Sequence, residues 1–64
     1  MAIQDNVNLS RRMGRAWATQ PIADLPDEQR EEMRLAATDG TSGFDDLPEW
    51  AQNAIIAGER EKAI

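Results

Sequence analysis

The sequence predicts an all-α protein, a small three-helix bundle with helices at approximately 6–19, 26–38 and 47–60. Three observations predict it. Proline and glycine divide the chain into three segments, with Gln20-Pro21 closing the first and Asp39-Gly40-Thr41-Ser42-Gly43 closing the second. Within each segment the apolar residues recur at helical spacing. No segment alternates apolar and polar residues with period two, and β-branched residues are few, so no strand is expected.

The first helix is expected to start near Asp5 or Asn8, either of which offers a side-chain oxygen to a free backbone N–H. It should run to about Thr19. Leu9, Met13, Ala16 and Trp17 fall on one face, and Arg11 and Arg15 on the opposite one. Gly14 weakens a helix by about 1 kcal/mol relative to alanine, which suggests close approach by a neighbouring element.

The second helix has a clear start. Asp24 is a capping residue, Pro26 suits the first turn, and Asp27 and Glu28 complement the positive end of the helix dipole. Gly40 is placed to end it in a left-handed conformation. Its apolar face is thin, comprising Leu25, Met33, Ala36 and Ala37 with Gln29 between, while Leu35 points the other way. The third helix repeats the opening. Asp46-Leu47-Pro48-Glu49 matches Asp24-Leu25-Pro26-Asp27 at an offset of 22 residues, which fits either duplication or convergence on a good helix start. Leu47, Ala51, Ala54, Ile55 and Gly58 form its stripe, with Trp50 on the flank.

A chain of 64 residues is read as a single helical domain over 1–64, with frayed residues at both termini and beyond Arg60. The expected core is Leu9, Met13, Trp17, Leu25, Met33, Phe44, Leu47, Trp50 and Ile55. Trp17 and Trp50 are the largest apolar side chains, and both rings are expected to be mostly buried.

The chemistry missing from the sequence narrows the function classes. There is no cysteine and no histidine, so disulfides, thiolate metal sites and nucleophile–histidine pairs are excluded. Asp27 with Glu31 and Glu28 with Glu32 pair carboxylates on one helix face, but paired-acid catalysis needs one acid buried, and these read as a solvated face. Asp39, Thr41 and Asp45 loosely suit a calcium loop, yet Phe44 and Trp50 stand where glycine and glutamate are required. Gly40-Thr41-Ser42-Gly43 lacks the lysine and preceding strand of a phosphate loop. The expectation is therefore no enzyme, no catalytic residues, no cofactor and no metal.

Charge points to the remaining classes. Residues 1–23 hold three arginines against Asp5, a net +2, whereas residues 24–64 hold eleven acids against four bases, a net −7. Such a chain steers toward basic surfaces and repels nucleic acid. The leading expectation is a non-catalytic protein–protein interaction module whose acidic second helix meets a partner protein with a basic surface, through Asp27, Glu28, Glu31, Glu32, Leu35 and Ile56. An acidic helix can also mimic nucleic acid. The alternative is a helix-turn-helix-like DNA-binding protein using Arg11, Arg12 and Arg15, arginines that otherwise pair with the acids of the second helix. Leu35 and Ile56, lying off the core faces, also suggest self-association. Residues 1–10 lack a basic, apolar leader, and no stretch reaches the length of a membrane span, so a cytoplasmic location without membrane contact is expected. Six arginines to one lysine fit a GC-rich genome. The length and acidity suit a small accessory or regulatory protein of bacterial or phage type.

Overall fold

The computed structural model describes residues 2–63 and is all-helical, with no strand among them. Four α-helices follow in order: α1 (Ala2–Ala16), α2 (Gln20–Ala23), α3 (Asp27–Thr38) and α4 (Glu49–Ala63), with a 3-10 turn at Phe44–Asp46 before the last. Helix α1 is the hub. It packs against α3 on one side and α4 on the other, and α2 packs against α4. Among the described residues no helix is long and apolar enough to cross a membrane.

The centre of the core takes one side chain from each helix. Leu9, Ile22, Met33 and Ile55 are the largest fully enclosed residues, contributed by α1, α2, α3 and α4 in turn. Around them lie Met13, Ala16, Ala37, Leu47, Ala51 and Ala54. The stripe expected on the last helix is buried throughout: Leu47, Ala51, Ala54, Ile55 and Gly58.

The short helix α2 departs from the three-helix expectation. Helix α1 ends at Ala16, short of the expected Thr19, and Gln20-Pro21 opens a new helix instead of closing the first; Pro21 lies in its first turn, where its missing N–H removes no helical bond. Thr19 precedes it in extended conformation, and Glu61 of α4 accepts the Gln20 N–H at 2.8 Å. That bond holds the last turns of α4, where fraying was expected, against the start of α2. Ile22 is buried completely by this arrangement.

Helix starts also differ from expectation. Helix α1 is already helical at Ala2, so Asp5 and Asn8 lie inside it and do not cap it. Asp24 does not cap α3 either; its carboxylate accepts a bond from the Gln20 side chain, one turn back. Asp46 likewise turns backward, accepting the Gly43 N–H at 2.8 Å. In both copies of the repeat the proline opens the helix. The Pro26 carbonyl accepts from Arg30 N–H at 3.0 Å, and the Pro48 carbonyl accepts from Gln52 N–H at 3.1 Å. Gly40 has φ +88°, the left-handed value that ends α3.

Trp17 and Trp50 are mostly buried, as expected, but not fully enclosed; with Leu25 and Phe44 they pack against the core from its rim. The reason is volume. Four medium-sized side chains already fill the centre, and a ring of tryptophan size fits only at its edge. Gly14 is exposed, with no neighbour within 4 Å of where a Cβ would stand, so it makes no close approach. Gly58 does. A Cβ there would lie 3.0 Å from the Ala16 Cβ and 2.6 Å from Thr19 Oγ1, so α1 and α4 meet almost backbone to backbone.

A buried polar latch joins α1 to the loop after α3. Asn6 is 8% exposed, and its amide nitrogen lies 3.1 Å from the Ala36 carbonyl, 2.9 Å from the Ser42 carbonyl and 3.3 Å from Asp39 Oδ1. The start of α1 is thus tied to the end of α3 and the loop that follows it.

Candidate functional site

Helix α3 presents the acidic face expected of it. Asp27, Glu28, Glu31, Glu32 and Leu35 are all exposed, Leu35 at 54%. The helix forms because its interior is rich in glutamate, arginine, leucine, methionine and alanine, all good helix formers, with Asp27 and Glu28 at the positive dipole end. Met33 and Ala37 are buried from it, Gln29, Arg30 and Ala36 are partly buried beside them, and the other described residues of the helix face water.

The acids of this face are not equivalent. Arg30 pairs with Asp27, and Arg34 forms a two-pronged bond to Glu31, with Nε 3.0 Å from Oε2 and Nη2 2.5 Å from Oε1. That guanidinium holds the Glu31 carboxyl below its usual range. Glu28 and Glu32 have no ion-pair partner among the described residues. With Leu35 they follow i, i+4, i+7 spacing and so share one line along the helix. Ile56, expected beside them, lies on α4 and is partly buried. The structure does not bring it to the exposed face of α3.

The arginines of α1 are divided. Arg12 turns toward α4 and binds Glu59, with Nε 3.0 Å from Oε2 and Nη2 2.7 Å from Oε1. Its guanidinium also stacks 4.0 Å from the centre of the Phe44 ring. The hydrogen bond raises Arg12 and lowers Glu59 from their ordinary pKa values. The expected pairing of these arginines with the acids of α3 is therefore not made. Arg12 is committed to α4, while Arg11 and Arg15 stay exposed without an ion-pair partner among the described residues.

Two apolar residues that sequence reasoning left unremarked are exposed on α1. Ile3 is 74% and Val7 38% exposed, one turn apart. Their signal was available, since both lie well off the Leu9–Met13–Ala16 stripe.

The concavities offer little to a small molecule. One open hollow of about 440 Å³ lies between α1 and the 3-10 turn, lined by Asp5, Arg12, Phe44, Asp45 and Asp46 among others. Another of about 420 Å³ lies along Asn8, Arg11, Arg12 and Arg15. No group of three acidic side chains among the described residues could hold a metal ion. Asp39 of the calcium-like segment is occupied by its own loop. Its carboxylate accepts from the N–H groups of Thr41 and Ser42, both at 2.8 Å, and from the Ser42 hydroxyl at 2.5 Å. These bonds, that of the Ser42 side chain first, lower its pKa to about 2.

No protein-family model, curated protein or solved structure matches the chain. The class to which it belongs is accordingly defined by the fold itself, a small all-α bundle with an acidic outer helix.

Proposed function

We propose that the chain is a non-catalytic interaction module whose outer α3 face docks on a basic protein surface. One observation supports this above the others: Glu28, Glu32 and Leu35 are exposed in line, with neither carboxylate ion-paired among the described residues. Unpaired charges lose no existing partner when a cation approaches, and an adjacent leucine adds apolar area to the contact. Asp27 and Glu31, already neutralised by arginines of their own helix, act mainly by keeping the helix formed. The shallow hollows and the lack of histidine and cysteine favour binding over catalysis. The net charge of −5 and absence of cysteine suit a cytoplasmic accessory or regulatory role in a bacterium or phage.

A cationic amphipathic peptide of arginine and leucine is a direct probe. Its affinity, read by fluorescence anisotropy at low protein concentration, should fall by at least about tenfold in Glu28→Lys/Glu32→Lys. The control Asp45→Lys/Glu49→Lys changes net charge equally but lies off the face. Equal losses in the two variants would reduce the effect to net charge and remove α3 as the docking face.

A further inference from the structure

We propose that one basic surface this face takes is α1 of a second copy of the chain, giving a two-fold dimer in which α1 of each copy lies along α3 of the other. The proposal rests on the reading of α3 as a docking face and names a partner for it.

The exposed sides of the two helices are complementary in kind. On α1, Ile3, Val7, Arg11, Gly14 and Arg15 face water; the exposed acid of this helix, Asp5, stands beside Gly43 at the 3-10 turn. On α3 the exposed side is dominated by acids around Leu35. Among the described residues, the large hydrophobic side chains most open to water are Ile3, Val7 and Leu35, divided between these same two faces.

They are complementary in spacing as well. At 1.5 Å rise per residue, Arg11 and Arg15 stand about 6 and 12 Å beyond Val7 toward the C-terminus of α1. Glu32 and Glu28 stand about 4.5 and 10.5 Å before Leu35, toward the N-terminus of α3. Antiparallel docking that sets Val7 on Leu35 therefore brings Arg11 to Glu32 and Arg15 to Glu28, within the reach of an arginine side chain. All four charges lack ion-pair partners within the chain as described. Parallel docking would instead bring Arg11 to the region of Asp39, whose carboxylate is already saturated by its loop.

The symmetry closes. Within one molecule the start of α1 lies against the end of α3, held by the Asn6 bonds to Ala36 and Ser42, the arrangement of antiparallel neighbours. A two-fold axis parallel to the helices preserves each direction, so α1 of one copy meets α3 of its partner antiparallel, and the reverse contact forms at once.

Charge exchange tests this in the full chain. Wild type should shift from monomer to dimer with rising concentration in sedimentation velocity, and less so at high salt. R11E/R15E and E28K/E32K should each remain monomeric alone, because either one sets like charges against each other at both contacts. Mixed in equal amounts they should form a heterodimer, since both contacts then join opposite charges. Far-UV circular dichroism confirms that each variant is folded. Wild type that is monomeric up to millimolar concentration overturns the proposal, as does a mixture that stays monomeric. Neither outcome touches binding of the cationic peptide, which tests the α3 face separately.

Discussion

Gly58 of α4 stands against Ala16 of α1 with no room for a methyl group between them. A Cβ on Gly58 would meet the Ala16 Cβ at 3.0 Å and Thr19 Oγ1 at 2.6 Å. Thr19 cannot readily yield, because it is 4% exposed and its hydroxyl donates to the Ala16 carbonyl at 2.5 Å. Gly58→Ala should therefore destabilise by about 1–3 kcal/mol, although alanine is favoured over glycine in an exposed helix by about 1 kcal/mol. Gly14→Ala, where nothing lies within 4 Å, should stabilise by about 0.5–1 kcal/mol. Urea denaturation of both variants checks the opposite signs, and a shift of the same sign in the two would mean the crossing is looser than described.

Asn6 supplies the amide that holds the loop after α3. Its replacement by alanine leaves the Ala36 and Ser42 carbonyls without that donor, at a cost of about 1–3 kcal/mol. Asn6→Asp keeps the shape but faces two carbonyls and the Asp39 carboxylate with negative charge. It should cost more than alanine at neutral pH. Thermal unfolding would expose an error in this account if Asn6→Asp proved the milder of the two.

Acid should weaken the same loop. Asp39 has a folded pKa of about 2, below the value of about 3.9 expected when unfolded. The folded state therefore binds the Asp39 proton less readily than the unfolded state does. The stability this contributes is complete above the unfolded pKa and is lost as pH falls through about 2. The urea midpoint of wild type should drop between about pH 4 and pH 2 by more than that of Asp39→Asn, which has no proton to gain there. Identical drops would assign the acid loss to other carboxylates, such as Glu59.

Ile22 should matter more than its place in a four-residue helix suggests. It is fully buried, whereas Trp17 and Trp50 keep part of their surface in water. Ile22→Ala should cost about 2–5 kcal/mol, and Trp50→Ala should fall at or below about 3 kcal/mol. Tryptophan fluorescence should in addition show moderate quenching by acrylamide for both rings. An Ile22→Ala variant as stable as wild type would mean that α2 is not part of the core.

What was legible in the sequence was periodic. The stripe from Leu47 to Gly58 spans more than three turns, so spacing alone identified every buried position in it. Helix α2 is one turn long, and no periodicity can reveal a single turn; Pro21 read as an end, while the bond at the start of α2 joins Gln20 to Glu61, forty-one residues away. The start of α1 was misjudged for a related reason. Asp5 and Asn8 are capping residue types, but Asn6 beside them is spent on a tertiary contact that local sequence does not encode. The exposure of the α3 acids followed from their pattern. Which of them are neutralised depends on where Arg30 and Arg34 turn, and the commitment of Arg12 to Glu59 joins residues forty-seven apart.

The hub position of α1 has a consequence for synthesis. Helix α1 is made before α4, the helix that completes it. Arg12 waits for Glu59, Ala16 for Gly58, and the start of α2 for Glu61. Until residues 51–61 have been made, the Leu9–Met13–Ala16 face has no cover on its α4 side. The contacts that complete α1 therefore join residues more than forty apart in sequence, and such contacts form late as a chain is made.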